Sequence, residues 1–480
     1  TFTYKVSGPI KVGIRVEVPF GKQVLEGFVL RVYSDPLDNM DLKSIIRVID
    51  DEPVLNEELL LLGKYIKDET LCSLMSAYQC MLPLAYKAKK KGSVSLKKDK
   101  YIRLSDVDLS SYKFNNIQQK IIDILLKDSV VLKKNLDMVS SSSVKTLINK
   151  GVLEVEEREV YRLVHDHVNK VSFSLNDEQR EVLSSILLDS YNTYLLYGVT
   201  GSGKTNVYMK LIKRVLDDGK CAIVLVPEIS LTPQIIKRFT SYFSNIAVLH
   251  SGLSDGEKYD EYRKIREGKV NIVIGARSAI FAPLSKIGVI IVDEEHSSTY
   301  KQDNNPRYSA IDIAKWRAKY HNCPLILGSA TPSLESFARA EKGVYKLLTL
   351  KNRYNLNMPT VDIIDMNKEF KKSNGYFSER LISEIQSRID KNEQVILFLN
   401  KRGYSSIVSC PSCGEVKKCP NCDISLTYHK SSNMLRCHYC GYAEKKSDEC
   451  LNCHIPYRDM GMGTEKVVIE LEPLINGAKI

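Results

Sequence analysis

The chain has 480 residues, with 69 Lys and Arg against 58 Asp and Glu, a formal charge of +11. That length suits three or four domains with sizeable cores, and the positive balance points to a polyanionic partner. No apolar run approaches the ~20 residues that cross a bilayer, and no signal-peptide pattern precedes the fold, although the first residue, Thr1 rather than Met, points to a trimmed N-terminus.

In chain order, residues 1–50 alternate like short strands: Phe2–Val6, Arg15–Phe20, Leu25–Leu30 and Ile45–Ile49, with turns at Gly21 and Asp35-Pro36. A small barrel or sandwich is expected, followed by a helical stretch from Asn56 to Met81. Lys87 to Lys100 carries seven lysines and reads as a solvated linker, or one that also touches phosphates. Residues 114–168 then read as three helices and a hairpin. Asn116–Leu126 is amphipathic, Ser141–Lys150 follows a serine cap and stops at Gly151, and Val152–Glu156 with Glu159–Arg162 makes a wing-like ribbon. A winged helix follows, to bind either DNA or protein; Glu154, Glu156, Glu157 and Glu159 on the ribbon would repel phosphates.

From Leu175 to about Gly343, strands and helices alternate as in a parallel sheet covered on both faces. The strand Tyr194–Tyr197 leads into Gly198-Val-Thr-Gly201-Ser202-Gly203-Lys204-Thr205, a G-x-x-x-x-G-K-T phosphate loop. Its glycines let backbone N–H groups face a phosphate chain, Lys204 would reach the β- and γ-phosphates, and Thr205 would ligate Mg²⁺. Gly288–Val292 is an apolar strand ending in Asp293-Glu294-Glu295-His296, where a parallel sheet presents its ligand-binding edge. Asp293 would hold Mg²⁺ and Glu294 would polarise the attacking water. Together the two motifs make a nucleoside triphosphate site. Directly afterwards, Tyr300-Lys301-Gln-Asp-Asn-Asn-Pro-Arg307-Tyr308 interleaves aromatics with cations, a composition suited to stacking on unpaired bases. A further strand, Gln394–Leu399, looks like the start of a second lobe.

Eight of the twelve cysteines fall in residues 410–453, as Cys410-x-x-Cys413, Cys419-x-x-Cys422, Cys437-x-x-Cys440 and Cys450-x-x-Cys453. Such knuckles argue for metal in a reducing cytosol rather than disulfides. Four of them make two tetrahedral Cys₄ zinc sites. Spacing leaves three ways of pairing them. His429, His438 and His454 lie nearby, but full Cys₄ sets make them unnecessary.

The order of these motifs, with Val226–Thr232, Gly275–Pro283 and Gly328-Ser-Ala-Thr-Pro-Ser333, resembles superfamily 2 helicases. There the D-E-x-H segment, including His296, belongs to the catalytic set, and Gln179 stands where such enzymes place an adenine-recognition glutamine. With the cysteine block and Leu399–Tyr404 added, nearly the whole chain is similar to the primosomal protein N′ family of bacterial replication-restart helicases. Phe2-Thr-Tyr4, Val18–Lys22 (with Gly21) and Lys43 match that family's module for capturing a nascent 3′ end; Gly461–Glu465 matches the segment after its zinc block. Thr3 stands where some members carry an Asp, and Pro306 where some carry an aromatic.

What the resemblance implies is an ATP-dependent 3′→5′ DNA helicase that recognises stalled or branched forks and promotes primosome assembly. Its cofactors would be ATP, Mg²⁺ and two Zn²⁺ in a nested pairing, Cys410, Cys413, Cys450 and Cys453 against Cys419, Cys422, Cys437 and Cys440. Single-strand DNA-binding protein and other primosome proteins would be its partners, in the cytoplasm. A double-strand translocase, an RNA helicase and a structural DNA-binding or docking module are the rival readings. The expected fold is multidomain α/β. A β-rich 3′-end-binding domain spans 1–90, a basic linker 91–112, a winged helix 113–170 and a RecA-like lobe 171–346. An interlobe linker and the start of a second RecA-like lobe follow at 347–408, with a zinc insertion at 409–456 and continuation at 457–480. The family's later motifs would lie beyond Ile480, which makes this chain a fragment in that reading.

Overall fold

The computed structural model describes residues 2–33, 42–88, 96–163, 173–227, 233–353, 360–365, 377–399, 407–410, 412–460, 464–477 and 479. They fall into two compact units that divide after Met358. The turn at Asp35-Pro36, residues 89–95 of the lysine segment, and the motif portions 228–232, 400–406 and 461–463 lie outside the described residues.

At the N-terminus, β1 (Arg15–Phe20) and β2 (Gln23–Phe28) form a hairpin about Gly21, and β3 (Arg47–Val48) pairs with the other edge of β1. Val16 and Val18 point inward, as the alternation requires. Phe2–Val6 does not become a strand: it makes one bridge, Lys5 with Ser44, before Gly8 (φ +112) and Pro9 turn the chain away. The expected helical stretch breaks at Leu71 into α1 (Glu57–Thr70) and α2 (Leu74–Met81), capped by the side chains of Asn56 and Ser73.

The second domain contradicts the linker assigned to 91–112. Lys98–Leu104 is β4, the central strand of a sheet with β5 (Val130–Leu132) and β6 (Leu153–Glu159). Fully buried Ile102 joins Ile121, Leu125, Val144 and Leu147 in a core that the helices cannot close alone. The same pairing answers the acidic ribbon: Lys98 and Lys100 lie 3.7 and 3.6 Å from Glu157, and Arg103 lies 2.6 Å from Glu154. Leu153–Glu159 is therefore one strand laid against β4 rather than half of a hairpin wing, and residues 160–162 lie outside it. α3 (Asn116–Lys127) carries a capping box from Asn115 and Gln118, and α4 (Lys133–Asn149) breaks at Ser140, whose hydroxyl accepts from Ser143 N.

The large domain is a seven-stranded sheet in the order β13-β7-β12-β11-β8-β10-β9, parallel throughout. These strands are β7 (Thr193–Gly198), β8 (Cys221–Leu225), β9 (Ile246–Leu249), β10 (Ile272–Gly275), β11 (Ile287–Asp293), β12 (Leu325–Ser329) and β13 (Lys346–Leu350). Near-continuous apolar runs suit strands buried on both faces, and two separate cores cover them. Among the covering helices are α5 (Asp177–Ser185), α6 (Lys204–Asp217), α7 (Pro233–Thr240), α8 (Asp255–Arg266), α9 (Ala310–Tyr320) and α10 (Leu334–Glu341). β13 corrects the lobe boundary drawn at 346, because the strand beside β7 begins there.

One of those cores reaches beyond the lobe. Leu55, Leu59, Leu62 and Ile66 of the N-terminal domain pack in one cluster with Tyr262, Ile265, Ile280 and Phe281. At its edge fully buried Arg317 donates to Glu58 Oε1 and Oε2 (2.6 and 2.9 Å) and to the carbonyls of Ile280 and Ala282 (2.6 and 2.9 Å). The N-terminal domain and the lobe are thus one hydrophobic body.

In the second unit, a helix spans Glu379–Asp390. Gln394–Leu399, expected as the first strand of a second lobe, is not in a strand. Parallel pairing needs a neighbour, and none runs beside it among the described residues. Ile407–Ser409 and Arg458–Met460 pair antiparallel and bracket the cysteine block, which holds a second small sheet of Thr427–His429, Met434–Arg436 and Ala443–Lys445.

Candidate nucleotide and metal sites

β7 delivers the chain into the phosphate loop, and α6 begins at Lys204. Gly203 sits at φ +81, and a Cβ there would collide with the Gln179 amide, so the position needs glycine twice over. Lys204 Nζ donates to Gly198 O at 2.8 Å, folding the cation back over the loop. Gln179 is fully buried: it donates from Nε2 to Ser202 O (2.8 Å) and accepts from Asn176 N (3.2 Å). The amide that the sequence assigns to adenine thus touches the phosphate loop.

β11 ends in Asp293, which accepts at Oδ1 from the hydroxyl of Tyr208 (2.9 Å). Tyr208 is buried one helical turn beyond Lys204, and its hydroxyl fills the space a Cβ on Gly328 would take. Burial holds the Asp293 carboxyl above its ordinary range, opposed by the Tyr208 hydrogen bond. Glu294 adopts φ +47, and its carboxylate lies 3.6 Å from His296 Nδ1. His296 Nδ1 is also 2.8 Å from Ser329 Oγ at the end of β12. Glu295, to which the sequence reading gave no role, accepts from Ser333 N (2.7 Å), Ser333 Oγ (3.1 Å) and Ser336 Oγ (2.9 Å). The D-E-E-H turn and the Ser-Ala-Thr turn are therefore bolted together at adjacent parallel strand ends. Tyr208 was legible only as the residue four places after Lys204, on the same helical face.

The aromatic segment does not present its rings. Tyr300 is buried and donates to Asp293 O at 2.6 Å; Tyr308 is buried edge-on to Phe281, with centroids 5.0 Å apart. Neither can stack on a base, which corrects that assignment. Lys301 and Arg307 remain exposed, and Arg277 ties the loop back through the carbonyls of Thr299 (3.1 Å) and Lys301 (2.7 Å).

In the N-terminal domain, Phe2 is 72% exposed and rests edge-on against Phe20 at 5.0 Å. Tyr4 donates to Pro19 O at 3.2 Å. Phe2, Thr3, Tyr4, Phe20, Leu42 and Tyr78 are among the residues lining a cleft of about 1520 Å³. Lys43 is exposed beside Leu42, and Gly21 sits at φ +59 in the hairpin turn; neither lines the cleft.

Each cysteine knuckle closes the same way. The N–H four residues after the first cysteine donates to that cysteine's carbonyl, from Gly414 (3.0 Å), Asp423 (2.9 Å), Gly441 (3.0 Å) and His454 (2.8 Å). Those four residues all have positive φ, at 73°, 53°, 81° and 52°. The turns gather Cys410, Cys413, Cys450 and Cys453 in one cluster and Cys419, Cys422, Cys437 and Cys440 in another, with all ligand atoms of a cluster within 4.8 Å. Donor type, number and clustering fit two Zn²⁺. Geometry thus selects the nested pairing among the three that spacing allowed.

Residues 1–83 match the 3′ DNA-binding domain (3′BD) family of PriA, residues 172–334 the family described as type III restriction enzyme, res subunit, and residues 419–445 the PriA DNA helicase Cys-rich region domain. The chain is 42% identical to the replication restart protein PriA of Bacillus subtilis (strain 168) over 567 residues, an alignment covering 100% of this chain and 70% of that one. The Treponema pallidum (strain Nichols) protein of the same name is 34% identical, with 97% and 62% covered. That of Synechocystis sp. is 45% identical, with 68% and 41% covered. The Pyrococcus furiosus Hef helicase domain, a solved structure, overlaps 45% of this chain and 47% of its own at 18% identity and a TM-score of 0.29, too weak a likeness to build on. Identity of this level over 70% of the Bacillus protein places the chain in the family of replication restart proteins PriA.

Proposed function

We propose that the chain binds ATP at the phosphate loop and branched DNA through its N-terminal domain, as part of an ATP-dependent 3′→5′ DNA helicase that recognises stalled forks and promotes primosome assembly. The observation that carries this is the convergence of Lys204, Asp293 and the His296–Ser329 contact at neighbouring parallel strand ends, in a lobe sharing one core with the N-terminal domain. Lys204 holds the phosphate chain, Glu294 orients the attacking water, and Thr205 and Asp293 are the residues that would hold Mg²⁺. Mg²⁺ supplies charge neutralisation on the phosphates. His296 and Glu295 join this centre to the Ser329–Ser333 turn, so a movement of one turn is felt at the other.

On the DNA side, the cleft beside Phe2, Thr3 and Tyr4 suits a strand terminus, with Lys43 near its edge to meet a phosphate. Exposed Lys301 and Arg307 are positioned for the DNA backbone rather than for bases. Cytoplasmic single-strand DNA-binding protein and other primosome proteins are the partners this role requires. The test is binding of this chain to three labelled substrates: a fork with a free 3′ end at the branch, the same fork with that end blocked, and an RNA fork of the same sequence. Preference for the free DNA end supports the reading. Equal affinity for all three refutes it.

A further inference from the structure

The phosphate loop has a second wall that none of its motifs describes. β13 runs beside β7 with Leu350 opposite Gly198, and Val199 N donates to Leu350 O at 3.3 Å. The next residues are held by Glu178, the neighbour of Gln179 on α5. Its carboxylate accepts from Lys351 N at 2.7 Å and Asn352 N at 3.4 Å. This brings the stem of Arg353 over the middle of the loop: its Cγ and Cδ lie 3.9 and 4.0 Å from the point a Cβ on Gly201 would occupy.

Arg353 carries a donor that nothing among the described residues answers. Its Nε is buried with no hydrogen-bond partner. Several other arginines of this unit are engaged: Arg162 with Asp260, Arg277 with two carbonyls, Arg317 with Glu58, and Arg263, whose Nε is likewise without a partner, with Glu159 through Nη1. A buried N–H donor without an acceptor is unfavourable, and a ligand oxygen would reverse that. Its planar fork matches phosphate oxygens, whereas Lys204 offers a point charge.

We propose that Arg353 is a further nucleotide-binding residue, whose guanidinium meets the phosphate chain of a nucleoside triphosphate from the β13 side of the loop. This role rests on the reading of Gly198–Thr205 as a nucleotide site. It adds a contact from a segment beyond the expected end of the lobe, and it joins the strand leaving the lobe to the presence of phosphate.

The test is displacement of a fluorescent ATP analogue from the 480-residue chain by ATP, GTP, ADP and adenosine, in the parent, Arg353→Ala, Arg353→Lys and Lys204→Ala. Arg353→Ala is expected to weaken ATP and GTP alike by about 10- to 100-fold, the range for a hydrogen bond to a charged group. Adenosine should change little, and Arg353→Lys should retain part of the affinity. Melting without nucleotide should not fall, because no bond within the protein is removed. Unchanged ATP affinity in Arg353→Ala, an equal loss for adenosine and ATP, or a lower melting point without nucleotide would each overturn the proposal. If Lys204→Ala still bound ATP like the parent, the nucleotide site itself would be misplaced, a failure separable from that of Arg353.

Discussion

Glu58→Ala tests whether the N-terminal domain and the lobe are held as one body. Glu58 and Arg317 are 4% and 0% exposed, and the pair is bidentate at 2.6 and 2.9 Å. His321 Nε2 lies a further 3.0 Å from Glu58 Oε1. Burial would raise the carboxyl, but the Arg317 charge and His321 outweigh it and hold it at about 2, against an ordinary 4.5. That difference is worth about 3 kcal/mol. Removing one partner of a buried pair costs about 3–5 kcal/mol, so the two routes agree.

The variant is expected to melt roughly 5–10 °C lower at pH 7. Because the folded value is depressed, the contribution is complete above about pH 4.5 and is lost as pH falls toward 2. Urea titrations of parent and variant should therefore differ by a constant amount from pH 7 to 5 and converge below. Glu58→Leu with Arg317→Met should recover part of the loss, though not all, since the carbonyls of Ile280 and Ala282 lose their donor. Melting points within about 2 °C of each other at pH 7, or a difference that persists unchanged below pH 4.5, would refute the pair as the joint between the domains.

Lys204→Ala should abolish ATP binding while leaving nucleotide-free fork affinity nearly unchanged, measured by parallel isotherms; a large drop in fork affinity would mean the loop is not a dedicated nucleotide site. Chelation should release two Zn²⁺ per chain and unfold residues 410–453, since each structural site supplies about 10–16 kcal/mol; metal analysis of reduced protein finding one zinc or none sinks this. Lys43→Ala should weaken binding to forks with a free 3′ end at the branch and leave end-blocked forks alone, and equal effects on both would retire the strand-end assignment. Tyr208→Phe removes the donor to Asp293 and should raise the Mg²⁺ concentration needed for tight nucleotide binding by about 10-fold or more. A role in packing alone would lower the melting point and leave that titration where it was.

The nucleotide and zinc sites were legible because their chemistry is written in short range. A phosphate loop needs its glycines, lysine and threonine within eight residues, and each knuckle needs two cysteines three apart, so Gly198–Thr205 and the four C-x-x-C turns carry their geometry locally. Burial direction is another matter. Tyr300 and Tyr308 sit among cations in sequence, yet both rings turn inward, because Asp293 O accepts from the Tyr300 hydroxyl and Phe281 packs on the Tyr308 ring. Lys98 and Lys100 read as solvated charge until β6 places Glu157 beside them, fifty-odd residues along the chain. The pairing of the knuckles could not come from spacing, since three combinations satisfy it equally and only the path of the chain between Ile407–Ser409 and Arg458–Met460 brings the outer two together. The joining of Glu58 to Arg317 and the placement of Arg353 over Gly201 were invisible for the same reason. Each depends on elements 259 and 152 residues apart meeting across a core, and no periodicity encodes which surfaces will meet.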